Sequence, residues 1–170
     1  MLANNETGVI QPIEEIVRLS QPFDTFVHTD AIQACGKVNL DWGILGVDAL
    51  SLSAHKIGGP QGVGALILNK KFDLDARFFG GGQERSYRPG TENVPGIVGF
   101  GLAAELAADL DRNKSIELLR NELERKILKI APNAVIHGQQ SQRIPNTSCI
   151  SMPGVLAETQ IMKFDLAGIM

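Results

Sequence analysis

Short strand-like segments alternate with helical ones along the whole chain, and the strand segments close on glycine or small polar residues. That alternation favours an α/β architecture. Met1-Leu2-Ala3 reads as the end of a buried strand, followed by the polar turn Asn4-Asn5-Glu6-Thr7-Gly8. Pro12 suits the first turn of a helix in which Ile13, Ile16 and Val17 share a face, ending near Ser20. Phe26-Val27-His28 predicts a short strand ending at Thr29-Asp30, then a helical turn stopped by Gly36. Ala49-Leu50-Ser51-Leu52-Ser53 alternates apolar and small polar residues, the period of a strand. Ala54-His55-Lys56 stands at its carboxyl end, Gly58-Gly59-Pro60-Gln61-Gly62 makes a turn, and Val63 to Leu68 is the next strand. After Pro95 the pattern turns helical. Val98, Leu102, Leu106 and Leu110 recur every fourth residue, and Ile116, Leu119, Leu123, Ile127 and Ile130 form an amphipathic stripe that Pro132 ends. Val135-Ile136 and Ser148-Cys149-Ile150-Ser151 read as strands, and Leu156 to Leu166 as a helix with Gly168 at its C-cap. Ile169-Met170 begins a further apolar run.

A chain of 170 residues is about one ordinary domain. Hydrophobic residues make up 44% and charged residues 21%, which fits neither disorder nor a fibrous repeat. The net charge of −3 argues against a broad nucleic-acid or membrane-surface footprint. No apolar run approaches the ~20 residues of a membrane span. The opening residues lack the basic and apolar stretches of a secretory signal. Two distant cysteines, Cys35 and Cys149, make no disulfide framework, so a reducing cytoplasmic setting is expected, or an organelle in a eukaryote. The three scattered histidines give no metal-ligand spacing. Glycine is abundant, 18 in 170, and much of the excess lies within residues 58–101.

The loops there carry the candidate chemistry. Lys56 follows a strand and sits among small residues; it is either a solvated surface lysine or an amine able to form a Schiff base with an aldehyde cofactor. Such a lysine needs an acid on the far side of a pyridine ring. Asp30 also stands just past a strand end, and neighbouring strand ends in an open α/β sheet converge on one crevice. Its alternative reading is a helix N-cap. Ser53 and His55 flank the lysine as donors for a cofactor phosphate, or else as a packed small residue and a loop histidine. The loop from Gly80 to Thr91 is either flexible surface or a platform presenting Thr91 to an anion. The glycines at 58–64 are not a dinucleotide fingerprint, because they lead into a strand rather than a helix.

Four stretches in order resemble the cysteine desulfurases of the class V aminotransferase group. They are Ala3-Asn4-Asn5-Glu6-Thr7-Gly8, His28-Thr29-Asp30-Ala31-Ile32-Gln33, Ser51-Leu52-Ser53-Ala54-His55-Lys56, and Gly80-Gly81-Gly82-Gln83-Glu84-Arg85 through Arg88-Pro89-Gly90-Thr91-Glu92-Asn93. The resemblance implies part of a fold type I pyridoxal-phosphate transferase, with pyridoxal 5'-phosphate as cofactor and L-cysteine as substrate. It implies that Lys56 holds the cofactor, Asp30 pairs with the ring nitrogen, and Gln33 bonds the phenolic oxygen. Asn5 would sit near that oxygen and the substrate carboxylate, and Ser53 and His55 would hold the phosphate. Thr91 would reach a phosphate in the partner subunit of a homodimer. A sulfur-acceptor or iron–sulfur scaffold protein is the implied further partner.

The family's stacking histidine and its persulfide-forming cysteine find no match here; neither Cys35 nor Cys149 has the right surroundings. The expectation is therefore an internal fragment, inactive and poorly soluble alone. Residues 1–95 are expected to be the second half of the cofactor domain, 96–112 a connecting helix, and 113–170 the start of a small domain. A selenocysteine lyase or another class V enzyme is the alternative parent, and a non-catalytic dimerising or binding fragment the alternative of another class.

Overall fold

A computed structural model describes residues 1–72 and 74–169; Met170, in the apolar run noted above, lies outside them. The central element is β2 (Ala49–Ser53), the strand with the clearest alternation. It is flanked by β1 (His28–Asp30), parallel, and β3 (Gly64–Leu68), antiparallel. The register sets Asp30 opposite Ser51, so His28, Asp30, Ser51 and Ser53 share one face and Thr29 and Leu50 the other. His28 Nε2 and Ser51 Oγ are 2.7 Å apart across that first face.

The opposite face is the core. Thr29 and Leu50 are buried there, and Leu50 packs with Leu2, Val17, Ala31, Ala34, Leu45, Val47 and Ile144. Helix α1 (Ile13–Ser20) contributes Ile13 and Val17, whereas Ile16, expected on the same face, is exposed. The short helix α2 (Trp42–Leu45) is capped by Asp41 Oδ1, which accepts from Ile44 N at 3.0 Å. Strand β1 starts two residues later than its apolar pattern suggests. Val27 N–H donates to the Asp48 carboxylate at 2.9 Å instead of joining the ladder.

Helix α3 (Val94–Ala107) packs by its smallest residues. A Cβ added at Gly59 would lie 3.1 Å from Ala103 Cβ, and one added at Gly36 3.0 Å from Ala107 Cβ. Gly96 and Gly99 come closer still to Val63 and Pro60. The helix thus lays a glycine–alanine stripe on the turns around residues 36 and 57–63, and Val98, Leu102 and Leu106 point away, 67%, 58% and 61% exposed. Ala103→Leu is expected to force α3 off this turn at a cost of about 1–3 kcal/mol, seen as a lower urea midpoint.

Helix α4 (Asp111–Ile130) follows, then the antiparallel pair β4 (Val135–His137) and β5 (Cys149–Ser151), then α5 (Ala157–Leu166) with Gly168 beyond it at φ +72°. The leucine stripe of α4 does not face a core: Leu119 and Leu123 are exposed, and the buried residue of the helix is Glu124. No described helix is long and apolar enough to cross a membrane.

Candidate active site

Asp30 ends β1 and is half-buried. Its Oδ1 accepts from Ile32 N at 2.8 Å, which starts the turn over residues 31–37. The capping reading and the ring-partner reading are compatible, since Oδ2 bonds no other described residue. Gln33 lies on that turn, and Lys37 Nζ donates to Gln33 O at 3.0 Å and to its Oε1 at 3.4 Å. Gly36 closes the turn at φ +71°, a conformation that glycine takes without strain. Asn113 at the start of α4 fastens it further, Nδ2 donating to Gly36 O at 3.0 Å and Lys37 O at 3.2 Å.

Lys56 sits on a single helical turn, Ala54–Ile57, at the carboxyl end of β2. Ala54 is fully buried and anchors the turn by Ala54 N to Val63 O at 3.1 Å and Gly59 N to Ala54 O at 2.9 Å. Ser53 Oγ and His55 Nδ1 are 2.8 Å apart beside the exposed lysine. Because β1 and β2 are parallel, Asp30 and Lys56 come from the same end of the sheet. Lys37 belongs to this cluster too: burial lowers its pKa, and the nearby positive charge of Lys56 lowers it further.

The Asn4–Gly8 turn begins beside β1, where Leu2 N donates to Asp30 O at 2.7 Å. Asn4 shapes it. Its Oδ1 accepts from Glu6 N and Thr7 N, both at 2.9 Å, and from Thr7 Oγ1 at 3.1 Å. Asn5 is exposed within the turn. Sequence reasoning missed Asn4 and Lys37, although an asparagine whose side chain bonds backbone two and three residues on is a recognisable turn device. Thr91 stands apart, exposed on the glycine-rich loop, with no described hydrogen bond to the Lys56 cluster. That loop is held by Gly90 N to Gln83 Oε1 at 3.2 Å and carries Glu84, Arg85 and Ser86 at positive φ.

Two clefts, of about 630 and 960 Å³, lie elsewhere, one along α4 and the other along α1. Neither includes Asp30 or Lys56 in its lining; Lys56 is exposed and Asp30 half-buried. Among the described residues no cluster has the composition of a metal site.

An amine, a carboxylate, a hydroxyl and an imidazole at one sheet end form a recognisable donor set, and a family model described as aminotransferase class-V matches residues 1–170. The chain belongs to the class-V aminotransferase family. It is 47% identical over 169 residues to a cysteine desulfurase of Cereibacter sphaeroides, covering 99% of this chain and 43% of that protein. A cysteine desulfurase IscS of Dictyoglomus turgidum is 42% identical over 172 residues, with 99% and 43% covered. The crystal structure of a NifS-like protein from Rickettsia africae superposes with a TM-score of 0.94 at 40% identity, covering 99% of this chain and 47% of that one. The chain therefore spans about half the length of the relatives it matches, and its fold is that of the matching half of the NifS-like, fold type I enzymes.

Membership in this class-V family implies pyridoxal phosphate. The residues present fit it: Asp30 Oδ2 is available to face a ring nitrogen, Lys56 offers an amine, and the Ser53–His55 pair offers donors to an anion.

Proposed function

We propose that this chain is part of a pyridoxal-phosphate-dependent cysteine desulfurase, which removes sulfur from L-cysteine to leave L-alanine and an enzyme persulfide. The observation that supports the reading is that Asp30 and Lys56 stand at or just past the carboxyl ends of two adjacent parallel strands, with Ser53 and His55 beside Lys56. Relatives named cysteine desulfurase over the whole chain support it.

When bound, the cofactor supplies an electron sink for the substrate's α-carbon. Lys56 would hold the cofactor through Nζ, and its amine would move protons at the substrate carbons. Asp30 keeps a proton on the ring nitrogen, since an adjacent carboxylate favours the charged form. Gln33 donates to the phenolic oxygen, and Ser53 and His55 bind the phosphate. Asn5 orients the substrate carboxylate, and Thr91 binds a phosphate across a homodimer.

Neither Cys35 nor Cys149 is assigned as the attacking thiolate in this reading. Burial raises the Cys35 thiol above its ordinary pKa despite Lys37 nearby, and Cys149 is committed to β5. A sulfur-acceptor protein and a reducing cytoplasmic setting complete the reading.

Borohydride reduction of the protein with pyridoxal phosphate should leave one stable adduct, and peptide mapping should find it on Lys56. An adduct confined to other lysines, or none, would remove the basis for the assignment.

A further inference from the structure

The segment after β4 meets the returning arm of the Asn4–Gly8 turn through a single antiparallel β-bridge. Ile10 N donates to Gln142 O at 2.9 Å, Ile144 N donates to Gly8 O at 2.8 Å, and Val9 and Arg143 form a bridge between these bonds. Residues 142–144 therefore grip the returning arm of the turn that carries Asn5. The other arm is tied to β1 at Asp30 O. Gly8 has φ +74°, and a Cβ there would lie 3.0 Å from Thr147 Cβ and 3.2 Å from the fully buried Ile144.

What holds the grip is on α4. Arg143 Nη1 and Nη2 donate to Glu124 Oε1 and Oε2 at 2.7 and 2.9 Å, with the two side chains only 5% and 6% exposed. Ser148 Oγ donates to the same Oε1 at 2.7 Å, and Arg120 Nη1 donates to Ile144 O at 2.7 Å. Two charges this deeply buried add little net stability compared with an apolar pair of the same shape. What a planar guanidinium locked two-point on a carboxylate does supply is direction. It fixes Arg143 Cα, and with it both backbone bonds to the turn.

We propose that Glu124 and Arg143 are positioning residues for the Asn4–Gly8 turn: through the bridged segment 142–144 they set where Asn5 stands relative to Asp30. The importance of Asn5 rests on the desulfurase reading; the clamp itself does not. Helix α4 meets the site at two places, through Asn113 on the turn over residues 31–37 and through this buried pair on the Asn4–Gly8 turn, and the pair carries the second link.

Hydrogen exchange on the intact protein tests this. Glu124→Gln keeps the shape and removes the charge. The amides of Ile10 and Ile144 should exchange about tenfold faster, while that of Ala31, bonded to Ser51 O, stays within about twofold. Ser148→Ala removes one bond of the set and should give a smaller change at the same amides, which decides the matter if Glu124→Gln does not fold. Parallel acceleration at Ile10, Ile144 and Ala31 would mean a merely structural pair, and no acceleration at Ile10 and Ile144 would mean no clamp; either result overturns the proposal. In the same samples, Glu124→Gln should raise the KM for L-cysteine more than it lowers kcat, with the borohydride adduct on Lys56 unchanged. A wild type that forms no adduct would remove the desulfurase reading, while the exchange pattern would still decide the clamp.

Discussion

Replacing Asp30 by asparagine is expected to lower turnover of the intact enzyme by about 10²–10³-fold, the scale of losing one preorganised electrostatic partner. The substitution is nearly isosteric. The new carbonyl can keep the 2.8 Å bond from Ile32 N that starts the turn, so stability should stay within about 0.5 kcal/mol of wild type. What is lost is the negative charge on the other oxygen, the one no described residue engages. A carboxylate next to a ring nitrogen favours its protonated form, and an amide does not. Steady-state kinetics with L-cysteine, alongside a urea titration, separate the two effects. Turnover unchanged from wild type would place the ring elsewhere. A fall in turnover matched by a fall in stability would show that Asp30 serves only as a cap.

Much of this arrangement is legible in the residues, and the parts that are not share a cause. Strand β2 is read from five residues because its alternation is local, and its end fixes the positions of Ser53, His55 and Lys56. Asp30 follows from the end of β1 in the same way. The start of β1 is misread because the competing acceptor, Asp48, is distant in sequence from Val27. Helix α2 goes unread because four residues carry no period, although Asp41 before it and Gly46 after it are the expected punctuation. Helices α3 and α4 are found from their large apolar residues, yet those residues do not choose the packed face. On α3 the contact is made by Gly96, Gly99, Ala103 and Ala107, since close approach to the turns at 36 and 57–63 admits nothing larger. On α4 it is made by Glu124, whose partner lies far along the chain. Periodicity reports that a helix has an apolar side; it does not report a charge whose compensation comes from another element. Lys37 and Asn4 escape for a similar reason, because each acts on a neighbour's orientation and leaves no pattern of its own.

The Glu124–Arg143 pair should respond in opposite ways to losing one member and to losing both. Arg143→Met strands a carboxylate at a site 6% exposed, and the cost should be about 3–5 kcal/mol, enough to unfold a marginal protein. Replacing both residues by methionine removes the stranded charge as well, and stability should return to near or above wild type. Acid should mimic the single loss. The bonds from Arg143 hold the Glu124 carboxyl below its ordinary 4.5, against the upward pull of burial and with help from Ser148 and Arg120. A carboxyl depressed in the folded state binds its proton more readily when unfolded, so the stability it contributes is complete above that ordinary value. It is lost as pH falls through the folded value. Urea midpoints measured downward from about pH 7 should therefore fall more steeply for wild type than for the double methionine variant, with the divergence beginning as the pH enters the ordinary carboxyl range and growing below it. Parallel curves would show that Glu124 does not ionise differently in the two states. The double variant also separates strength from direction. If it recovers stability but not the exchange protection of Ile10 and Ile144, the pair is kept for where it holds the Asn5 turn and not for the free energy it contributes.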